Sequence, residues 1–500
     1  MANRVSPSLG PRKLEREIFS CRCFPSRRWG SGGGMPFPYV GSCGLTSVKP
    51  EHRMGLDTIF APATGAGRAG VAVVRVSGPA SRAVLASICD LPDPVARRAI
   101  RCRMVDPVVD PAGGIVLDDG LAIWFPGPAS FTGEDVAELH IHGGRATIDA
   151  VCAALGGLIL PAARVRLAEA GEFSRRAFDN GKLDLTAIEG LSDLVAAETE
   201  AQRRQALRQL DGALGQQIEV WRTQLVTALA RIEAAIDFPD EDLPDHLVSE
   251  TDHNILGLLR EISLIIDDGR RGERVRDGLS IAIIGAPNVG KSSLLNVLAR
   301  RDVAIVSDIA GTTRDVVEVR LDLGGYPVTL ADTAGLRESS DSVENEGVRR
   351  ALGRAGAADL SLVVFDGTES VADEASLAQL GPNSLAVINK IDLGEVGFAI
   401  AGAVQLSAQT TENIDVLVEE IERRVVGLMD VTGPAPLTRA RHRAALVDCA
   451  AALDRAAAEP AVDLKAEDLR LAVVSLGRIT GRVDIEDVLD VIFSEFCIGK

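Results

Sequence analysis

The 500-residue chain has no run of about 18 apolar residues, so no transmembrane helix and no membrane partner are expected. It has no Cys-x-x-Cys spacing. Its eight cysteines are scattered, Cys21 and Cys23 lie too close together and without partners to suggest zinc, and a reducing, cytoplasmic setting is the simplest home. No Gly-x-Gly-x-x-Gly is placed for dinucleotide binding, so the chain is expected to hold no FAD of its own. It lacks positive charge overall. A net charge of −18 excludes a general nucleic-acid binder, and any RNA contact would have to be local or shared with another protein.

What is present fits a globular protein of about three domains: 46% hydrophobic and 25% charged residues. Met1 to Arg53 differs from the rest. It carries nine Lys/Arg against three Asp/Glu and is rich in Gly, Pro and Ser without periodicity. It reads either as a transit-type segment or as a start assigned too early, with Met54 the initiator. The second reading is preferred, because a patterned domain begins directly after Met54.

Four motifs follow in one order: Gly285-Ala286-Pro287-Asn288-Val289-Gly290-Lys291-Ser292, Gly311-Thr312-Thr313, Asp332-Thr333-Ala334-Gly335 and Asn389-Lys390-Ile391-Asp392. The first lies between a strand-like run, Leu279 to Ile284, and a helix start at Ser292. Backbone N–H groups of such a loop cradle phosphates at a helix N-terminus. Lys291 would reach the outer phosphates and the Ser292 hydroxyl would bind magnesium. Asp332 can hold magnesium through water, and Gly335 can offer its N–H to the terminal phosphate. The Asp392 carboxylate can accept from guanine N1–H and the 2-amino group, a donor pair that adenine lacks. Ser407-Ala408, after the run Val404 to Leu406, fits the loop behind the base. Together these describe a guanine-nucleotide site.

One residue is missing. Ras-like proteins place a water-orienting glutamine after Asp-x-x-Gly, and here the position is Leu336. Hydrolysis needs another polar group and another positive charge. Glu344 is the candidate for the first, with a solvated helix charge as the alternative. Asn288 could help hold a monovalent cation for the second.

The pattern along the chain predicts an α+β domain from Met54, with strands at Val71 to Val76 and Leu121 to Phe125. From Leu183 it becomes helical. Leu207, Leu210, Leu214, Ile218, Trp221, Leu225, Leu229, Ile232 and Ile236 predict one long helix ending at Phe238-Pro239-Asp240. Further helix is expected from about Asp252 to Arg274 and again from Thr438 to Lys500, after the linker Val431 to Pro436. The expected boundaries are 1–53, 54–172, 173–276, 277–428 and 429–500. The fold class is multidomain α/β and α, with a nucleotide domain of mainly parallel sheet inserted into a helical domain.

Further residues resemble one family. Asp57-Thr58-Ile59, Gly70 to Gly78, Phe131-Thr132-Gly133-Glu134-Asp135, His142-Gly143-Gly144, Gly171-Glu172-Phe173-Ser174, Lys182-Leu183-Asp184-Leu185, Ile236-Asp237-Phe238-Pro239 and the terminal Cys497-Ile498-Gly499-Lys500 are similar to the MnmE (TrmE) tRNA-modification GTPases from about Met54 to Lys500. The resemblance implies a folate-binding, dimer-forming N-terminal domain, a helical domain and an inserted Ras-like P-loop GTPase domain. It implies that Arg75, Glu138, Lys182 and Lys500 contact 5-formyltetrahydrofolate. The implied GTP/GDP contacts are Asn288, Val289, Gly290, Lys291, Ser292, Ser293, Ser307, Asp308, Ile309, Ala310, Gly311, Thr312, Thr313, Asp332, Thr333, Ala334, Gly335, Asn389, Lys390, Asp392, Ser407 and Ala408. Potassium would be held by Asn288, Ser307, Ile309 and Thr312, and magnesium by Ser292 and Thr313. Glu344 matches the family's catalytic glutamate, and Cys497 matches a thiol important in the modification reaction, its role left open.

The implied reaction places an aminomethyl or carboxymethylaminomethyl group at C5 of the wobble uridine of certain tRNAs. The folate supplies the one-carbon unit. The homodimer would work with the FAD protein MnmG (GidA) in a heterotetramer-type complex. The rival readings are a regulatory or ribosome-associated GTPase switch, and a folate-dependent aminomethyltransferase of small metabolites. The chain departs from the family at Gln409, where a basic residue is usual, and at Ala69, where glycine is common. The basic extension has no family counterpart.

Overall fold

Period-two alternation builds the first sheet of the computed structural model, which describes residues 57–107, 114–161, 164–237, 246–268, 270–301, 318–332, 358–429, 436–483, 492–493 and 499. Strands β1 (Thr58–Pro62), β2 (Ala69–Ser77), β3 (Ile100–Asp106), β4 (Ile115–Phe125), β5 (Val136–Gly143) and β6 (Val165–Leu167) lie in the order β3-β4-β5-β2-β1-β6. Only the β1–β6 pair is parallel. Ala72, Val74 and Val76 of β2 share a core with Leu85 and Ile88 of α1 (Ser81–Cys89) and Leu155 of α2 (Arg145–Gly156). Burying each large side chain there contributes about 1.5–3 kcal/mol. On the other face Ile59, Ala61 and Ala168 pack with Phe173 of α3 (Glu172–Asp179). Arg75 points to this second face because it alternates with Val74 and Val76.

The expected long helix is two helices. After α4 (Leu185–Ala196), α5 runs Glu200–Leu210 and α6 runs Ala213–Asp237. Gly212, at φ +84°, takes the left-handed conformation between them and stops α5. Leu214, Ile218, Trp221, Leu225 and Ile232 of α6 are buried, while Leu207 and Leu210 on α5 are only partly so. The expected break at Phe238-Pro239-Asp240 lies outside the described residues. The next helical run is also divided, into α7 (His246–Ile266) and α8 (Arg271–Asp277).

The nucleotide domain follows: β7 (Leu279–Gly285), α9 (Lys291–Ala299), β8 (Glu318–Leu323), β9 (Tyr326–Asp332), β10 (Leu360–Asp366), α10 (Glu374–Leu377), β11 (Ser384–Asn389), β12 (Val404–Gln405) and α11 (Ile414–Met429). The sheet order is β12-β11-β10-β7-β9-β8, parallel except for the β8–β9 hairpin. Strands β7, β10 and β11 are almost continuously buried, as a parallel sheet covered on both faces requires.

The chain then returns to the helical domain through α12 (Ala440–Ala458) and α13 (Val462–Thr480). Glu459-Pro460 separates these two helices, because proline cannot continue the ladder. Ile218 and Trp221 of α6, Ile262 of α7, Leu446 and Leu453 of α12 and Leu476 of α13 form one core. Blocks separated in sequence by the whole nucleotide domain are thus one folded unit. No described helix is long and apolar enough to cross a membrane.

A charged cluster fastens the two blocks. Glu189 of α4 is fully buried. Arg441 of α12 donates to both its oxygens, at 2.6 and 2.7 Å, and also donates to the last carbonyls of α13 at Arg478 and Ile479. Arg439 lies 3.1 Å from Glu189 and 2.8 Å from Asp193, which also takes Arg276 of α8 at 3.1 Å. Buried His442 places Nε2 at 2.8 Å from Glu189.

Candidate functional site

The loop from Gly285 to Gly290 joins β7 to α9 where the sequence places it. Ser292 and Ser293 are exposed at the start of α9, and Asn288 is exposed at φ +65°. Lys291 Nζ donates to the carbonyls of Gly285 and Ala286 at 2.9 and 2.8 Å, so it lies across the loop that would wrap the phosphates. Val289 is buried in the domain core.

Asn389 joins the two halves of the site. Only 2% exposed at the end of β11, it donates Nδ2–H to the Val289 carbonyl (2.8 Å) and accepts from the Ala408 N–H (2.9 Å). One side chain therefore ties the phosphate loop to the Ser407-Ala408 loop. Lys390, at φ +68°, pairs with Asp366 at the end of β10 (2.6 Å). The Asp366 carboxylate also accepts from the Thr368 N–H and hydroxyl. Burial pushes Asp366 up, but Lys390 and Thr368 outweigh it and hold the group below the usual carboxylate range. Asp392 is exposed one turn further on. The alignment of β10 with β11, which sets Asp366 beside Asn389, is the tertiary step that singles out Asp366, a residue the motifs do not mark.

Ser307, Asp308, Ile309, Ala310, Gly311, Thr312, Thr313, Thr333, Ala334, Gly335, Glu344, Cys497 and Lys500 lie outside the described residues. Of the third motif, Asp332 closes β9 beside β7, with its backbone in register with Ile283.

The N-terminal domain holds a second cluster. Arg75 is directly opposite Glu138 in the β2–β5 ladder, and its Nε and Nη2 donate to Glu138 Oε1 at 3.2 and 3.1 Å. The guanidinium lies 5.3 Å from the Phe131 ring and 5.9 Å from the Phe173 ring. His140, two residues along β5, lies 3.4 Å from the other Glu138 oxygen. Lys182 Nζ donates to the Pro128 carbonyl (3.1 Å). Its stem runs beside Gly133, so Arg75 and Lys182 flank the same Phe131–Gly133 loop. Near the C-terminus, Gly499 packs against Pro62 and Ala63 at the end of β1, the strand paired with β2 beside Arg75. Alternation on β5 places His140 on the Glu138 face; the aromatic pair around Arg75 has no comparable signal in the sequence.

The family model described as "GTP-binding protein TrmE N-terminus" matches residues 58–182, and "MnmE helical domain" matches residues 185–497. A "tRNA modification GTPase MnmE" of Rhodospirillum rubrum is 56% identical over 461 residues, covering 89% of this chain and 100% of that protein. One of the same description from Parvibaculum lavamentivorans is 56% identical over 451 residues, again covering 89% and 100%. Among solved structures, the G domain of the T. maritima FeoB iron transporter is 25% identical over 30% of this chain and 98% of that one, with a TM-score of 0.22, too low to bear on the fold.

Proposed function

Because the chain belongs to the MnmE (TrmE) family of tRNA modification GTPases, we propose that it hydrolyses GTP to drive modification of C5 of the wobble uridine in certain tRNAs. In this reading the added group is aminomethyl or carboxymethylaminomethyl, and the one-carbon unit comes from a folate. A homodimer works with the FAD protein MnmG. The observation that carries the nucleotide half is Asn389, whose two buried hydrogen bonds pre-assemble the phosphate and base loops.

Each residue has a physical task. Backbone N–H groups around Gly290 and the N-terminus of α9 attract the phosphates, and Lys291 exchanges its carbonyl partners for phosphate oxygens. Asp392 accepts from the guanine edge, while Asp366 steadies Lys390 beside it. The oxygen donors Ser292 and Thr313 suit magnesium, a hard cation. Asn288, exposed on the phosphate loop, is the described member of an all-oxygen potassium set with Ser307, Ile309 and Thr312. Potassium would supply the positive charge that an arginine finger gives elsewhere. Glu344 takes over water orientation, a task Leu336 cannot perform.

The Arg75–Glu138 pair suits a folate. The half-buried guanidinium is a partner for an anionic tail, the carboxylate for pterin donors, and partly exposed Phe131 is an apolar wall, with buried Phe173 backing the guanidinium. In this reading Lys500 would close the folate site, and Cys497 would serve the modification reaction.

The test is mass spectrometry of nucleosides from the tRNA of a strain lacking this gene. Loss of the C5-aminomethyl-type wobble uridines, restored by a plasmid copy, is the expected result. An unchanged profile would leave a GTPase switch without modification chemistry. A second expectation concerns the cation. Hydrolysis in potassium should exceed hydrolysis in sodium by about 100-fold, the scale of one lost transition-state contact. Equal rates would remove the potassium site.

A further inference from the structure

In sequence the β8–β9 hairpin lies between the two motifs that the reading above assigns to magnesium and the terminal phosphate. Thr313 lies five residues before β8, and β9 ends on Asp332. The hairpin turns through Gly324 and Gly325, at φ +60° and +84°, the tight two-residue turn whose twist matches paired strands. Its tip meets the helical domain at the N-terminus of α5. The Ala201 N–H donates to the Gly325 carbonyl at 2.9 Å. In the first turn of a helix this amide has no intrahelical acceptor, and the adjacent Gln202 amide is already met by the Thr199 side chain, so the hairpin tip completes the cap. The Ala201 methyl is buried within the nucleotide domain's own core, not that of the helices. Arg320 of β8 adds a half-exposed pair with Glu198 (3.3 Å).

Around this point the contact is open. A crevice of about 250 Å³ separates Gln202, Arg276 and Asp277 from Arg320 and Thr329. Among the described residues the tip is met by the Ala201 amide, by the half-exposed Arg320–Glu198 pair, and by Ala201 and Val275 of α8, which share the nucleotide domain's core; water can replace the two polar contacts. Beyond it the packing is close. Gln209 of α5 donates to the Thr186 carbonyl of α4 (2.9 Å), and Gly190 of α4 lies against the backbone of α5 at Leu210. Helix α4 starts three residues after Lys182.

We propose that the docking of the β8–β9 tip on α5, through Gly325, Ala201 and the Arg320–Glu198 pair, is the positioning contact that relays nucleotide state from the phosphate site to the N-terminal domain. The relay rests on the GTPase reading above. It commits to a path: the phosphate-sensing segments shift the hairpin, the hairpin shifts α5, and α4 moves with α5 beside Lys182.

A reversible lock tests it. A Cβ on Gly325 would lie 3.7 Å from Glu200 Cβ, a spacing that suits a disulfide. In the full-length Glu200→Cys/Gly325→Cys chain, oxidised and then reduced, GTP hydrolysis and modification of unmodified tRNA in the presence of the FAD-protein partner are measured side by side. The parent chain and Gly325→Cys alone serve as controls for oxidation and for strain at φ +84°. The expected result is hydrolysis within threefold of the parent while modification falls at least tenfold in the oxidised form and returns on reduction. In a second variant, Ala201→Glu expels the tip instead and should likewise keep hydrolysis while losing modification. Oxidised chain that modifies tRNA at the parent rate overturns the relay. So does a lock that stops hydrolysis as well, because the hairpin would then serve hydrolysis itself. A parent chain without GTP hydrolysis sinks the functional reading, and the relay with it, and is told apart by failing before any lock is introduced.

Discussion

Gly290→Ala should lower affinity for GTP and GDP about 100-fold while leaving the helical and N-terminal domains folded. At φ +99° the backbone of Gly290 disfavours any side chain. A Cβ there would also collide with Asn389 Nδ2. The end of a flexible side chain could retreat cheaply, but this one is buried and bonded at both ends, to Val289 and to Ala408. Retreat breaks the tie between phosphate loop and base loop and leaves buried polar groups unpaired, at about 1–3 kcal/mol for each. A loss of about 2.7 kcal/mol corresponds to the 100-fold change. Titration with a fluorescent GDP analogue gives the constant directly, and an affinity within threefold of the parent would show that the tie is dispensable.

The second large effect concerns stability. Glu189→Gln should destabilise the helical domain by about 3–5 kcal/mol, the range for removing one partner of a buried ionic cluster. Arg441 would keep its carbonyl partners on α13 and Arg439 would keep Asp193, but the carboxylate shared by the two guanidiniums and His442 would be gone. Hydrogen exchange of α4, α12 and α13 reads the loss locally, which a whole-chain melting curve of a multidomain protein does not. A change below 1 kcal/mol would falsify the account.

The same cluster sets an acid dependence. Burial would raise the Glu189 carboxyl, but His442 and Arg441 outweigh it and hold it at about 2, against an ordinary 4.5. Its folded value is depressed, so its stabilisation is complete above pH 4.5 and is lost as the pH falls towards 2. His442 is lowered from 6.5, first by burial and then by the neighbouring arginines, against the pull of Glu189. Its Nδ1 has no hydrogen-bond partner among the described residues, and Nε2 is the nitrogen that meets Glu189. The unfolded chain takes up that proton first, and stability begins to decline below pH 6.5. In Glu189→Gln the additional loss below pH 4.5 should disappear.

The nucleotide motifs were legible because their chemistry is local. A phosphate loop needs one strand, a few N–H groups and a helix start, all within Leu279 to Ser292. The Asn389-Lys390-Ile391-Asp392 motif is likewise one contiguous run. The family resemblance was legible for the same reason, being carried by short contiguous runs. The break between α5 and α6 was not, because the apolar stripe continues in phase across Asp211-Gly212 and one glycine at a left-handed position leaves little trace in a periodicity.

By itself the sequence determined the guanine-nucleotide chemistry, the family and the alternation of strands and helices. Only the tertiary structure decided which residues from distant segments act together: Asn389 with Val289, Asp366 with Lys390, Arg75 with Glu138 and two phenylalanines, Glu189 with His442, and the β8–β9 tip with α5. The physical reason is the range of the interactions. Capping, periodicity and loop chemistry operate over a few residues of one chain segment. Register across a sheet and packing between helices bring together distant residues, such as Glu189 and His442, 253 positions apart, and those are fixed only when the cores close.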